Sequence, residues 1–285
     1  MGLDLYKLDH LVAVAEEGSF TRAAARLHMS QQALSTSVRA LERQVGVDLL
    51  ARGSAGVTLL PAGEALLADA RVLHGVARSA VQRARRIGRG ERETLRIGHT
   101  PAVTGDEVTA LLPAAGSDTR VNQRYPDELT RELLSGELDL GLCRAMPPAR
   151  GLARTLVVRQ RLHVAVAEGH PLACRTQVQL SELADQEIIV WGEPGRSGYT
   201  DLLIGLCRGA GFEPHTRRNP VQGTPPVTAV TGTDGVAFVT AAPGPAAGGG
   251  VRVLELAPPA HVPLHALWPQ HTASDARDAF LESVS

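Results

Sequence analysis

Ser30, Gln31, Gln32, Ser35, Thr36 and Arg39 lie within ten residues and carry the most specific chemistry in this chain. Gln can bond bidentately to adenine, Ser and Thr hydroxyls reach bases or phosphates, and Arg pairs with phosphate or guanine. On the first turns of one helix such side chains suit the major groove of duplex DNA. The same pattern also fits an ordinary helical hairpin with a polar face. Nothing points to catalysis. There is no Walker loop, no GxGxxG after a strand, no GxSxG and no HExxH. The ten histidines are scattered and no carboxylate pair stands out. No catalytic residue, metal site or cofactor is expected, and the chain is not read as an enzyme.

Two helices are needed to present those side chains. Ser19 is placed to cap the first, since its hydroxyl can accept from an orphan backbone N–H. Phe20, Ala23, Ala24 and Leu27 then recur at helical spacing. The small alanines let a second helix approach closely. His28 and Met29 interrupt, and Ser30 caps the next helix. Its expected buried stripe is Ala33, Leu34, Val38 and Leu41.

The first 65 or so residues resemble the winged helix-turn-helix of LysR-type transcriptional regulators. The matching stretches are LDHLVAVAEEGSFTRAAARLHMSQQALSTSVRALERQVGVDLLAR and GVTLLPAGEALL. The resemblance implies a supporting first helix at about 5–17 and a recognition helix at about 31–44. It also implies a wing at about 52–57, followed by 58–60, with Arg52 as a phosphate contact. Three positions depart from the family pattern. Thr36 stands where Arg or Lys is frequent. The wing tip Gly53–Ser54–Ala55–Gly56 lacks a second basic residue, and Leu60 replaces a common Thr.

The overall charge of −1 conceals an asymmetry. Residues 1–90 hold twelve Lys+Arg and eight Asp+Glu, a balance of +4; residues 91–285 hold seventeen and twenty-two, a balance of −5. The positive part is where DNA would bind. Aromatic content of 3% argues against single-strand recognition by stacking. The N-terminus lacks a basic segment followed by an apolar one. No apolar run approaches the ~20 residues needed to span a bilayer. A cytoplasmic protein with no membrane partner is expected. Cys143, Cys174 and Cys207 are far apart with no CxxC pair, which disfavours zinc and a structural disulfide. Buried, unreactive thiols are the commoner reading, and a redox switch between two of them the rarer one.

Pro61 suits the first turn of a long helix. Leu66, Ala70, Leu73, Ala77, Ala80, Ala84 and Ile87 follow at alternating spacings of 4 and 3, an a/d seam. One amphipathic helix packed on its own domain would usually show a broader stripe. With two DNA-reading heads implied by the resemblance, the seam reads as a dimerisation helix. Arg83, Arg85, Arg86 and Arg89 read as a solvated or hinge-facing group, and Gly88 and Gly90 as a hinge.

From Thr94 strands and helices alternate. LRIGHT, RVNQRY and LDLGLCR are strands, with helices at 107–113 and 127–135 between them. LHVAVAE, EIIVWG, a helix after Ser197 and GVAFVT form a second unit. LHALWP and a helix at about 274–284 return to the first. That order implies parallel crossovers and two α/β lobes. The region resembles the effector-binding domain of the same family, itself similar to periplasmic solute-binding proteins. LRIG, ELLSGELDLGL, EGHPLA and GLCRGAGFEP carry the match. VTGTDG and PGPAAGGG depart from the family pattern.

Ligands in such sheets sit beyond carboxyl strand ends and at helix N-termini. That rule selects His99, Thr100, Pro101, Cys143 and Arg144 in one lobe. In the other it selects Trp191, Arg196, Ser197, Tyr199, Gln222, Gly223, Thr224 and Thr240, with Pro225 starting a helix. Arg144 and Arg196 are either ligands for a small organic anion or plain surface arginines, and His99 either a ligand or a turn cap.

The expected fold is α+β multidomain. It has a winged helix-turn-helix at 1–60, a linker helix and hinge at 61–90, and a two-lobed, periplasmic-binding-protein-like effector domain at 91–285. Lobe I takes about 91–161 and 265–285, and lobe II about 162–264. The expected function is LysR-type, effector-modulated transcription regulation. A homodimer or homotetramer would bind a double-stranded operator, with an unidentified small-molecule effector and RNA polymerase as a candidate partner. The competing reading is a solute-binding protein or α/β enzyme with an incidental helical N-terminal domain.

Overall fold

The computed structural model describes residues 2–53, 56–112, 118–147, 149–219, 221 and 225–284, with only the backbone of Arg52. Two compact units emerge. One holds Met1–Glu91 with Glu132–Glu137 and Pro269–Ala273; the other holds Arg92–Arg131, Leu138–Trp268 and Ser274–Ser285.

The first unit opens with α1 (Leu5–Glu17), α2 (Phe20–Arg26) and α3 (Gln31–Val45). Local chemistry sets the boundaries. The Asp4 carboxylate accepts from Tyr6 N at 3.0 Å, and Gly18 ends α1 with φ 59°. Ser19 and Ser30 cap α2 and α3, accepting from Arg22 N at 3.4 Å and Ala33 N at 3.1 Å. His28, at φ 53°, makes the turn between them. Leu8, Leu11, Val14, Ala23, Ala24, Leu34, Val38 and Leu41 are buried together. Ala33, expected in that stripe, is exposed. It sits on the first turn of α3 beside the fully buried Leu34, but on the exposed side of the helix. A hairpin wing follows, β1 (Leu50–Gly53) and β2 (Gly56–Leu59), in register Leu50↔Leu59. Residues 54 and 55 at its tip lie outside the described residues.

The long helix α4 (Pro61–Gly88) starts with Pro at N1 and no side-chain cap from Leu60. Its first turns pack tightly. A Cβ on Gly63 would meet the Leu49 carbonyl oxygen at 2.1 Å. Ala70 is fully buried in the head's own core, and Leu66 packs against it. These two positions of the expected dimer seam are therefore occupied within the subunit. Further along, Leu73 is 41% exposed and Ile87 68%, while Ala80 and Ala84 are exposed and Ala77 half-buried.

From residue 94 the chain forms β3 (Thr94–His99), α5 (Gly105–Leu111), β4 (Asp118–Gln123), α6 (Pro126–Leu134), β5 (Leu140–Cys143) and β6 (Leu152–Ala167). There follow β7 (Gln177–Val178), β8 (Glu187–Val190), α7 (Gly198–Gly209), β9 (His215–Arg218), β10 (Val236–Val239), β11 (Gly244–Ala246), β12 (Val251–Pro269) and α8 (Asp275–Ser283). The main sheet runs β4-β3-β5-β12-β6-β10-β8-β9, and β7 and β11 pair with β12. β3 is parallel to β4 and β5, and β8 to β9 and β10. Those parallel pairs are the crossovers expected of alternating strands and helices.

Two cores share this sheet. Leu95, Ile97, Val108, Leu140, Leu142, Leu264 and Phe280 fill one lobe. Leu162, Val164, Val178, Ile188, Leu203, Val236, Phe238 and Leu254 fill the other. β6 and β12 cross between them. The β12 end containing His265 pairs with Cys143 of β5, whereas its start pairs with β7 and β11. Both strands are far longer than the sequence fragments that announce them. The helix expected to begin at Pro225 is only a 3-10 turn at Pro226–Thr228. A left-handed Gly232 follows at φ 70°, turning the chain toward β10.

Candidate functional site

The N-terminal half of α3 presents a polar face. Gln31, Gln32, Thr36 and Arg39 are exposed and Ser35 is half-buried. Leu34, Val38 and Leu41 anchor the opposite face at 0% exposure. Ser30 and Thr36 are partly committed. Ser30 caps the helix, and Thr36 donates its hydroxyl proton to Gln32 O at 2.9 Å. Thr36 can therefore only accept from a partner while that bond holds. A groove of about 910 Å³ runs along the second half of α3, lined by Thr36, Arg39, Glu42, Arg43, Val47 and Leu50 among others. Glu42 was not foreseen. Its Oε1 accepts from Leu49 N and Leu50 N at 3.0 and 3.3 Å. That carboxylate fixes the wing's first strand to α3. The Arg52 side chain lies outside the described residues.

The positive charge does not sit on the helix-turn-helix and wing. Residues 1–60 hold six Lys+Arg and six Asp+Glu, whereas residues 61–90 hold six Arg and two acids. The surplus of +4 in the first 90 residues therefore belongs to α4 and its end. The helix-turn-helix and wing are neutral overall, and Arg26 is engaged by Glu16 and Glu17.

In the α/β region the strand-end rule brings part of its set together. Thr100 and Arg144 follow β3 and β5, which are sheet neighbours with His99 opposite Leu142. Thr100 N donates to Leu142 O at 3.0 Å. Its hydroxyl is buried with no hydrogen-bond partner among the described residues, in a residue only 4% exposed. His99 is buried and its Nδ1 lies 2.8 Å from Val103 O, so it shapes the turn that carries Thr100. Pro101 is half-buried beside it.

Arg144 is no free anion ligand. Its side chain is 0% exposed and bridges to Glu107 at 2.7 Å. Nε donates to Ala102 O at 2.9 Å and Nη1 to Pro263 O at 3.4 Å. Nη2 donates to Glu107 Oε1 and to Gln160 Oε1. Thr240, at the end of β10 in the other lobe, donates to the same Glu107 oxygen. Glu107 Oε2 meanwhile accepts from Thr104 N at 2.8 Å, closing the capping box of α5. One carboxylate thus caps a helix, neutralises a buried arginine and ties the two lobes. Tyr199 lies beside this cluster. Burial pushes its phenol up to about 12, an effect that Arg144 opposes and Glu107 reinforces.

Other expected ligands fall away from the cluster. Arg196 has an 83% exposed side chain next to Glu193 at 3.6 Å, which makes it a surface arginine. Ser197 caps α7, accepting from Thr200 N at 3.4 Å. The N-terminus of α7 is covered by lobe I. A Cβ on Gly198 would meet the Ala145 carbonyl oxygen at 1.9 Å, and Ala145 holds φ 48° to place it there. Trp191 is half-buried. Gln222, Gly223 and Thr224 lie outside the described residues. Cys143 and Cys207 are free and buried, with thiols pushed up to about 12 and about 11 by burial; Cys174 is free and exposed. Among the described residues no group of three metal-ligating side chains occurs, and no helix is long and apolar enough to cross a membrane.

Glu107 and Gln160 were missed as members of the cluster. The Thr104-x-x-Glu107 spacing announces a cap, but nothing local announces Arg144.

Comparison with known proteins accords with both regions. The family model described as bacterial regulatory helix-turn-helix protein, lysR family, matches residues 5–64. The LysR substrate binding domain matches residues 88–285. The uncharacterized HTH-type transcriptional regulator YnfL of Escherichia coli K12 is 38% identical over 221 residues, covering 73% of this chain and 72% of its own. The HTH-type transcriptional regulator TfdS of Cupriavidus pinatubonensis is 33% identical over 217 residues, covering 74% of each chain. Among solved structures, CbnR, a LysR family transcriptional regulator, superposes with a TM-score of 0.57 at 24% identity, over 99% of this chain and 100% of its own. A full-length OxyR variant from Pseudomonas aeruginosa gives 0.64 at 21% identity, over 100% and 95%. The chain belongs to the LysR family of helix-turn-helix transcriptional regulators that carry an effector-binding domain.

Proposed function

We propose that this regulator binds an operator in duplex DNA through α3, as a homodimer or homotetramer, in the cytoplasm. The observation that carries this reading is the exposed polar face of α3, capped by Ser30 and seated on a buried apolar face. Gln31, Gln32, Ser35 and Thr36 would meet base edges or nearby phosphates. Arg39 and Arg52 would meet phosphates. The neutral charge of residues 1–60 implies modest affinity per head, so that two heads act together. Leu73, Ala77, Ala80, Ala84 and Ile87 would supply the dimer contact, as the seam positions not already buried in the head. The functional divisions would be residues 1–60, 61–90 and 91–285. RNA polymerase would be the partner through which bound regulator acts.

A small-molecule effector would bind at Thr100, whose buried hydroxyl has no hydrogen-bond partner among the described residues. Such a group costs free energy unless something pairs with it. Tyr199 would face the effector from the second lobe. Binding would act by favouring one arrangement of the lobes over another.

Selection of duplexes from a random pool by the full-length protein tests the reading. Enrichment of a two-half-site sequence supports it. Retention of random duplexes without enrichment removes α3 as a sequence reader.

A further inference from the structure

The cation an acidic effector would need is already taken. Arg144 uses four of its five N–H donors on Ala102 O, Pro263 O, Glu107 and Gln160, and its side chain is 0% exposed. Glu107 is itself largely buried, at 11% side-chain exposure. Its two oxygens receive the Thr104 backbone, Arg144 and Thr240. The pair is neutral as a unit. The other cation expected at this end of the sheet, Arg196, points to solvent. The N-terminus of α7, a further positive feature, is closed by the Ala145 carbonyl. What stays unsatisfied there is a buried hydroxyl, that of Thr100, on the strand end next to Arg144.

We propose that the effector site at the buried Thr100 hydroxyl takes an uncharged polar molecule and that Glu107, by occupying Arg144, is the residue that excludes anions. The inference rests on the effector site placed at Thr100 above. An anion reaching Thr100 would enter a dry setting with no free cation to pair with, because Glu107 already neutralises Arg144. To use Arg144 it would have to displace Glu107, leaving that carboxylate buried and releasing Thr240 and the second lobe. A neutral molecule with a hydrogen-bond acceptor or hydroxyl satisfies Thr100 and leaves the Arg144–Glu107 pair intact. Glu107 is thus the specificity-determining residue of the site.

The charge preference can be read without knowing the effector. Full-length protein carrying Thr100→Cys and Cys174→Ser presents one new thiol at the site. Cys143 and Cys207 are buried with raised pKa values, so they react slowly. Neutral, sulfonate-bearing and ammonium-bearing methanethiosulfonates then report the local field through their relative labelling rates. The ratio measured on exposed Cys174 of the unaltered protein is the reference. The neutral-to-sulfonate ratio at Thr100→Cys should exceed the reference by about tenfold or more, one such factor being about 1.4 kcal/mol. Adding Glu107→Gln should collapse that excess, and Glu107→Asp should keep most of it. A ratio at or below the reference, or one unchanged by Glu107→Gln, overturns the proposal while leaving Thr100 as an effector contact. No labelling by any reagent removes Thr100 from the effector site, and the proposal with it.

Discussion

Helix α3 and the lobe junction use polar side chains in opposite ways. On α3 the polar groups face outward, and most keep donors or acceptors for a partner. Its apolar face is buried independently of them, so the helix stands whatever the polar face does. At the lobe junction Arg144, Glu107, Gln160 and Thr240 are spent on each other, and the fold depends on the bonds they make. The Thr100 hydroxyl is left over. The exposed face of α3 keeps hydrogen-bonding capacity spare, whereas the lobe junction exhausts it. The contrast predicts that equivalent truncations will separate stability from binding.

The largest effect should follow Arg144→Ala. It leaves Glu107 buried without its cation, and breaking a buried pair in this way typically costs about 3–5 kcal/mol. Both tryptophans, Trp191 and Trp268, lie beyond residue 91. Tryptophan fluorescence during urea unfolding therefore reports this region selectively. Arg39→Ala, on the exposed face of α3, should stay within about 0.5 kcal/mol of the parent. A similar small loss for Arg144→Ala would erase the distinction between the two regions. Pairing Arg144→Met with Glu107→Leu should recover much of the loss, because no charge is then stranded.

Gln31→Ala should show the reverse pattern. Specific duplex affinity should fall by about 1–3 kcal/mol, the range for a lost bidentate base contact. Non-specific affinity and thermal stability should barely move. Fluorescence anisotropy on a selected duplex and on a scrambled one measures both. Equal losses on the two duplexes would place Gln31 on the phosphate backbone instead, and a loss of stability would place it in the fold.

The two regions also differ in how well the amino-acid sequence announces them. The buried stripe of α3, the caps Ser19 and Ser30, and Pro61 at the head of α4 follow from local spacing and cap chemistry, whereas the bounds of α1 come from the family resemblance. Thr100 and Arg144 follow from the strand-end rule, although only the structure makes their strands neighbours. The lobe junction does not, because its bonds join residues 37, 119 and 133 positions apart. No periodicity carries that information. β12 was hidden for another reason. Pro258, Pro259 and Pro263 lie inside it, and a residue without an N–H argues against a strand. Ala33 and Ala70 show the complementary error. An alanine at helical spacing fits either a buried or an exposed face, so only neighbouring elements decide.

The long helix extends the comparison, since one seam serves both purposes. Ala70→Asp should destabilise the head, because it buries a charge in the core with Leu11 and Leu34. Leu73→Asp, one turn on and 41% exposed, should leave the head folded and reduce the oligomer. Circular dichroism melts and light scattering separate the outcomes. A full-sized oligomer for Leu73→Asp would end the proposed role of α4 in dimerisation.

The smallest effect concerns pH, and it too should divide the two regions. His163 and His265 sit on the crossing strands β6 and β12, whereas α3 contains no histidine. Burial holds the His163 imidazole below its ordinary value of 6.5, reinforced by Arg161 and opposed by the Ala241 backbone and Glu255. His265 is lowered in the same direction by burial, Arg154 and Arg159. Above 6.5 both imidazoles are neutral folded or unfolded, and neither affects stability. As pH falls below 6.5 the unfolded chain takes up these protons first, so stability declines until the folded values are passed. Unfolding free energy of the lobes, measured by tryptophan fluorescence, should therefore fall between pH 7.5 and 5.5, and fall less in His163→Gln. An equal slope in the variant would assign the decline to other groups.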